Sequence, residues 1–130
     1  MNNVFYHFIL IFVLFLGSTS ISRCQTVKPL TYLEVDRMPI FLGKEGSVDS
    51  FIQKNIVWPK IFDGTGSVFF SFIITKNGNV ENVKIIKGLC IECDKEVTRL
   101  LLSMPRWKPA KFKGKEVDVM MYYAVIFKLG

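Results

Sequence analysis

The chain has 130 residues, half of them hydrophobic, and a formal net charge of +6. That length holds one domain, which excludes a multidomain enzyme and a polytopic transporter. Beyond the first two dozen residues the chain stays rich in Phe, Ile, Val and Leu, which speaks against disorder.

Residues 4–16 are apolar except at His7, and no Lys or Arg precedes Arg23. A membrane helix needs about twenty apolar residues, so this run better suits the core of a secretory signal. Small residues at Ser22 and Cys24 fit cleavage after Cys24. Residues 1–24 are therefore expected to be a signal peptide or a short membrane anchor. Residues 25–38 read as an extended lead-in and residues 39–130 as the folded domain. Without the leader, roughly 100 residues remain, enough to bury about two-thirds of the unfolded surface in one core. Export would bring Cys90 and Cys93 into an oxidising compartment, where a disulfide can persist.

The first helix is expected over 47–56. Ser47 can cap it, and Val48, Phe51, Ile52 and Ile56 form one stripe. Trp58-Pro59 stops it, because the residue before proline leaves the α region. A strand over 68–75 follows, with Val68, Phe70, Phe72 and Ile74 on one face. Asn77-Gly78 signals a hairpin of type I′, and the return strand is 80–87. The second helix is expected over 95–104 with Asp94 as its cap, and Pro105 ends it. Gly114 marks a turn into a long last strand, 116–128. The order predicts an α+β fold, with two helices packed on one face of a small three-stranded antiparallel sheet.

Most catalytic arrangements cannot be built. The single His of the chain is His7, inside the leader, so the domain has no Ser-His-Asp or Cys-His set. No phosphate-binding Gly-rich loop is present. Cys90 and Cys93 alone cannot complete a structural zinc site. The reading is no enzyme, no metal and no cofactor. Cys90-Ile91-Glu92-Cys93 stays open as a disulfide-closed loop, two free thiols or a redox pair ahead of a helix. The basic residues Arg106, Lys108, Lys111, Lys113 and Lys115 cluster. In an exported chain they read as a solvated loop, with no nucleic acid as partner.

The last strand carries the functional expectation. With the first strand in the middle of the sheet, the last lies at an edge and offers its main chain to an extended partner. The candidate binding residues are Val117, Val119, Met121, Tyr123, Val125 and Phe127. A proline at Val119 or Met121 is expected to abolish binding by removing a donor. The second face of the sheet (Phe69, Ile73, Met120, Tyr122, Ile126) is apolar enough for a homodimer.

Several of these pieces together resemble a known family. Met104-Pro105-Arg106-Trp107-Lys108-Pro109-Ala110, then Gly114-Lys115 and the alternating strand to Phe127, resemble the C-terminal domain of TonB energy transducers in the form common in Bacteroidota. Pro39-Ile40-Phe41, Trp58-Pro59, Gly66-Ser67-Val68 and Asn77-Gly78 agree. The resemblance implies a Gram-negative cell-envelope domain in the periplasm. Such a domain binds an extended segment of outer-membrane TonB-dependent receptors by strand addition and serves transport. With the leader retained, inner-membrane motor proteins become partners and the chain is anchored in that membrane. With it removed, the chain is a released binding module with no role in energy transduction. The residues Met104, Pro105, Trp107, Pro109 and Gly114 match the family motif and are read as structural.

Overall fold

The computed structural model describes residues 28–128. The leader expected over 1–24 lies outside the described residues. In chain order the elements are β1 (Leu30–Thr31), β2 (Ile40–Phe41), α1 (Val48–Asn55), β3 (Gly66–Ile74), β4 (Val80–Lys87), α2 (Ile91–Leu102), β5 (Trp107–Lys108), β6 (Ala110–Phe112), β7 (Lys115–Val117) and β8 (Val119–Phe127).

The main sheet has four strands, not three, in the order β1-β8-β3-β4. The extra strand comes from the lead-in. Residues Leu30 and Thr31 lie parallel to β8, opposite Val119 and Met120. Two residues between Pro29 and a turn carry no periodic signal, so the sequence does not announce this strand. The rest of the lead-in is also drawn into the domain. Arg37 bridges to Lys111, and its guanidinium donates to the Pro109 carbonyl at 3.0 Å.

The hairpin forms as its alternation predicts, but its turn is different. Gly78 donates to the Thr75 carbonyl at 2.8 Å, Gly78 has φ 84°, and Asn77 is not among the positive-φ residues. This is a type I turn followed by a left-handed glycine, the three-residue hairpin loop, rather than type I′. A type I′ geometry appears instead between β6 and β7, where Lys113 and Gly114 have φ 50° and 76°. That second small hairpin splits the expected last strand. Residues Lys115–Val117 pair with β6, and β8 begins after Asp118.

Helix α1 sits as its stripe predicts: the Ser47 hydroxyl accepts from the Ser50 amide, and Val48, Phe51 and Ile52 are buried. Helix α2 starts four residues earlier than the spacing suggests, with Cys90 rather than Asp94 at the cap. Asp94 lies inside the first turn, and its carboxylate reaches back to accept from the Leu89 amide at 3.0 Å. Both helices bury their stripes in one core with the inward faces of β3 and β8. Phe70, Phe72, Ile74, Val97, Leu100 and Phe127 are among its fully buried members. Each contributes roughly 1.5–3 kcal/mol by leaving water.

Candidate partner-binding site

Strand β8 has two different sides. Along one it pairs antiparallel with β3 over its whole length, from Gly66 opposite Phe127 to Ile74 opposite Val119. Along the other, β1 covers only Val119 and Met120. Beyond them, among the described residues, no strand pairs with this side, so the last strand is an edge from Met121 onward. The phase of that edge follows from one bond. Leu30 donates to the Asp118 carbonyl at 3.2 Å, so the main chain of Asp118 points outward. Main-chain groups alternate along a strand, so those of Tyr122, Ala124 and Ile126 point outward too, and no strand among the described residues meets them.

The two free edges of the sheet are built in opposite ways. On β4 the register slips twice against β3, Asn82 adopts φ 52°, and Glu81, Lys84 and Lys87 are exposed. Bulges and charges of this kind blunt an edge against pairing. Strand β8 reads Val-Met-Met-Tyr-Tyr-Ala-Val-Ile-Phe, with no charge, no proline and an unbroken register. It is left open.

The side chains of the sequence-derived candidates mostly face inward. Val119, Met121, Val125 and Phe127 are buried and Tyr123 is half-buried. Burial raises the Tyr123 pKa, helped by the nearby Asp49 carboxylate. Val117 lies outside the main sheet, in β7. These residues therefore hold the strand in place, while Tyr122 and Ile126, 49% and 57% exposed, line the edge on its outer face. Phe69 and Ile86 are exposed on the same sheet face, and Phe69, Ile86 and Tyr122 line one shallow pocket there.

On the helix side, the open edge borders a groove of about 370 Å³. Its walls are Asp49, Ile52, Gln53, Ile56 and Trp58 on one side and residues Ala124, Val125 and Ile126 on the other. Trp58 stands edge-on to Phe127, with ring centroids 5.3 Å apart at 88°. Helix α2 holds the Trp58 segment. The Glu96 carboxylate accepts from the Val57 amide at 2.7 Å, and Arg99 donates to the Asn55 carbonyl at 3.1 Å. Glu96 and Arg99 also form an ion pair at 2.6 Å, and that bond, with the Val57 amide, holds the Glu96 carboxyl below its usual pKa. No sequence pattern signals this clamp, because its partners lie about forty positions apart, 39 for Glu96 and Val57 and 44 for Arg99 and Asn55.

The motif around Trp107 is an internal clasp. Strand β5 pairs with β2, and the Trp107 ring packs on Phe41 and Phe72 at 5.3 and 6.3 Å. The Trp107 amide donates to the Gly78 carbonyl at 2.8 Å, and Arg106 donates to the Asn77 carbonyl at 2.6 Å. The hairpin loop is thus fastened under the motif. Gly78 needs its glycine twice: for the positive φ, and because a Cβ there would meet the Trp107 carbonyl. Met104 and Pro105 are half-buried just past α2, and Pro109 accepts from Arg37. Cys90 and Cys93 are joined in a disulfide with Cα atoms 5.0 Å apart, and Cys93 is fully buried. Among the described residues no cluster of His, Cys, Asp or Glu could hold a metal ion, and no helix is long and apolar enough to cross a membrane.

The geometry defines a small α+β domain with one guarded edge, one open edge and a groove beside the open one. The sequence model of the Gram-negative bacterial TonB protein C-terminal matches residues 63–129, more than half of the chain. The chain belongs to this family, whose members are protein-interaction domains of the Gram-negative envelope known for engaging outer-membrane receptors. No curated protein matches the chain.

Proposed function

We propose that this domain binds an extended segment of outer-membrane TonB-dependent receptors by adding it as a strand to β8 at Tyr122, Ala124 and Ile126, in the service of transport. The observation that carries the proposal is the contrast between the two edges: β4 is bulged and charged, while the open part of β8 is neither. Export by residues 1–24 would place the domain in the periplasm. Coupling to an inner-membrane motor would require that leader to stay attached.

The test is a proline at Ala124, which removes an outward amide without touching the ladder to β3. The folded variant should fail to capture a receptor's extended periplasmic segment in a pull-down, while the native chain succeeds. Equal capture by both would refute strand addition. The proline positions expected from sequence, Val119 and Met121, are unsuited to this test, because their main chains point toward β3.

A further inference from the structure

The groove beside the open edge has two chemically distinct ends, and they set what an added strand can carry. One end is apolar and aromatic, where Trp58 meets Phe127. The other is acidic: Asp49, exposed in the first turn of α1, lies close enough to Tyr123 for its charge to act on the phenol. Tyr123 and Phe127 are four positions apart on β8, or about 13 Å. Side chains of an added strand that face the helices would recur every two residues, about 6.7 Å apart. Three such side chains would span the groove.

Among the described residues, the Asp49 carboxylate has no ion pair and accepts no side-chain hydrogen bond. None of the groove's lining residues is a cation, although the chain as a whole is basic. The acidic end is therefore not neutralised from within the domain. Gln53, one helical turn on, supplies a second polar group on the same wall.

We infer that the groove selects an extended segment with a basic side chain at the Asp49 end and, four residues away on the same face, a large apolar side chain against Trp58. This rests on the strand-addition reading and adds a sequence preference to it. In a segment parallel to β8 the basic residue comes first; in an antiparallel one it comes last.

The probes are acetylated and amidated peptides of sequence Lys-Thr-Val-Thr-Leu and Leu-Thr-Val-Thr-Lys, each with a counterpart carrying Glu for Lys. Binding is followed by the amide signals of Tyr122, Ala124 and Ile126 at low salt. The Lys peptide of one order should bind about fivefold tighter than its Glu counterpart, the size expected of a partly screened ion pair. Asp49→Asn should remove that difference while the edge signals still shift, and Asp49→Glu should keep it. Equal binding of Lys and Glu peptides, with edge signals shifting, would overturn the preference and leave strand addition standing. A preference that persists in Asp49→Asn would overturn it as well. No edge shift with any peptide would overturn both readings. Edge shifts that depend on protein concentration, without peptide, would assign the groove to a second copy of the chain and overturn the preference.

Discussion

The amide of Leu30 donates to the carbonyl of Asp118 at 3.2 Å. This bond joins the lead-in to the last strand and fixes which residues of β8 face outward. It also limits where a partner can pair, since β1 occupies the edge at Val119 and Met120.

The two sets of main-chain groups on β8 should respond differently to proline. Met121→Pro interrupts the ladder to β3 in the middle of the sheet and should cost about 3 kcal/mol or more. Ala124→Pro faces the open side and should cost far less. Denaturant midpoints of the two variants check this. Similar losses in both would mean that the outward phase of Tyr122, Ala124 and Ile126 is wrong.

Trp107 should be the most sensitive residue of the motif. It is 4% exposed and ties the hairpin loop to β2. Trp107→Ala should cost roughly 3–5 kcal/mol, as a large aromatic lost from a core. Trp107→Phe should cost much less, because the buried indole Nε1 has no hydrogen-bond partner among the described residues. Thermal unfolding of both variants gives the comparison.

Opening the Cys90–Cys93 bridge should weaken the domain without unfolding it. A loop this short contributes about 2 kcal/mol by chain entropy. Ser at Cys90 with Ala at Cys93 keeps the buried position apolar. Its stability should fall by about that amount in urea, with the edge of β8 unchanged in amide exchange.

Acid should loosen the clamp on Trp58. The Glu96 carboxyl is held below its usual pKa by Arg99 and the Val57 amide. A carboxyl depressed in the folded state stabilises above its unfolded pKa, near 4.3, and loses that contribution as pH falls through the folded value. Native stability should therefore drop more steeply below about pH 4.5 than that of Glu96→Gln. Parallel curves from pH 7 to pH 3 would show that Glu96 contributes nothing.

What could be read from sequence had a local period. The stripe Val48-Phe51-Ile52, the alternation on β3 and the inward residues of β8 all fall where spacing puts them. Three features had no local signal. Strand β1 is two residues long and exists only because β8 is there to pair with. Helix α2 begins at Ile91 because Cys90, a weak capping type, takes the cap that Asp94 promised. The long last strand breaks at Asp118 because Lys113-Gly114 turns β7 back onto β6. The open edge was legible as a strand, but its outward phase was not. That phase depends on the bond from Leu30, distant in sequence. The groove's Trp58 wall was hidden for the same reason, since it is held by Glu96 and Arg99.

Amide hydrogen exchange on β8, with and without an extended receptor segment, tests the central claim most directly. In the free domain the amides of Tyr122, Ala124 and Ile126 should exchange fast and those of Met121, Tyr123 and Val125 slowly. Adding the segment should protect the first three and leave Val83 and Ile85, whose main chains face outward on β4, unchanged. Protection that appears on β4 instead, or binding that leaves Tyr122, Ala124 and Ile126 unprotected, would contradict strand addition at this edge.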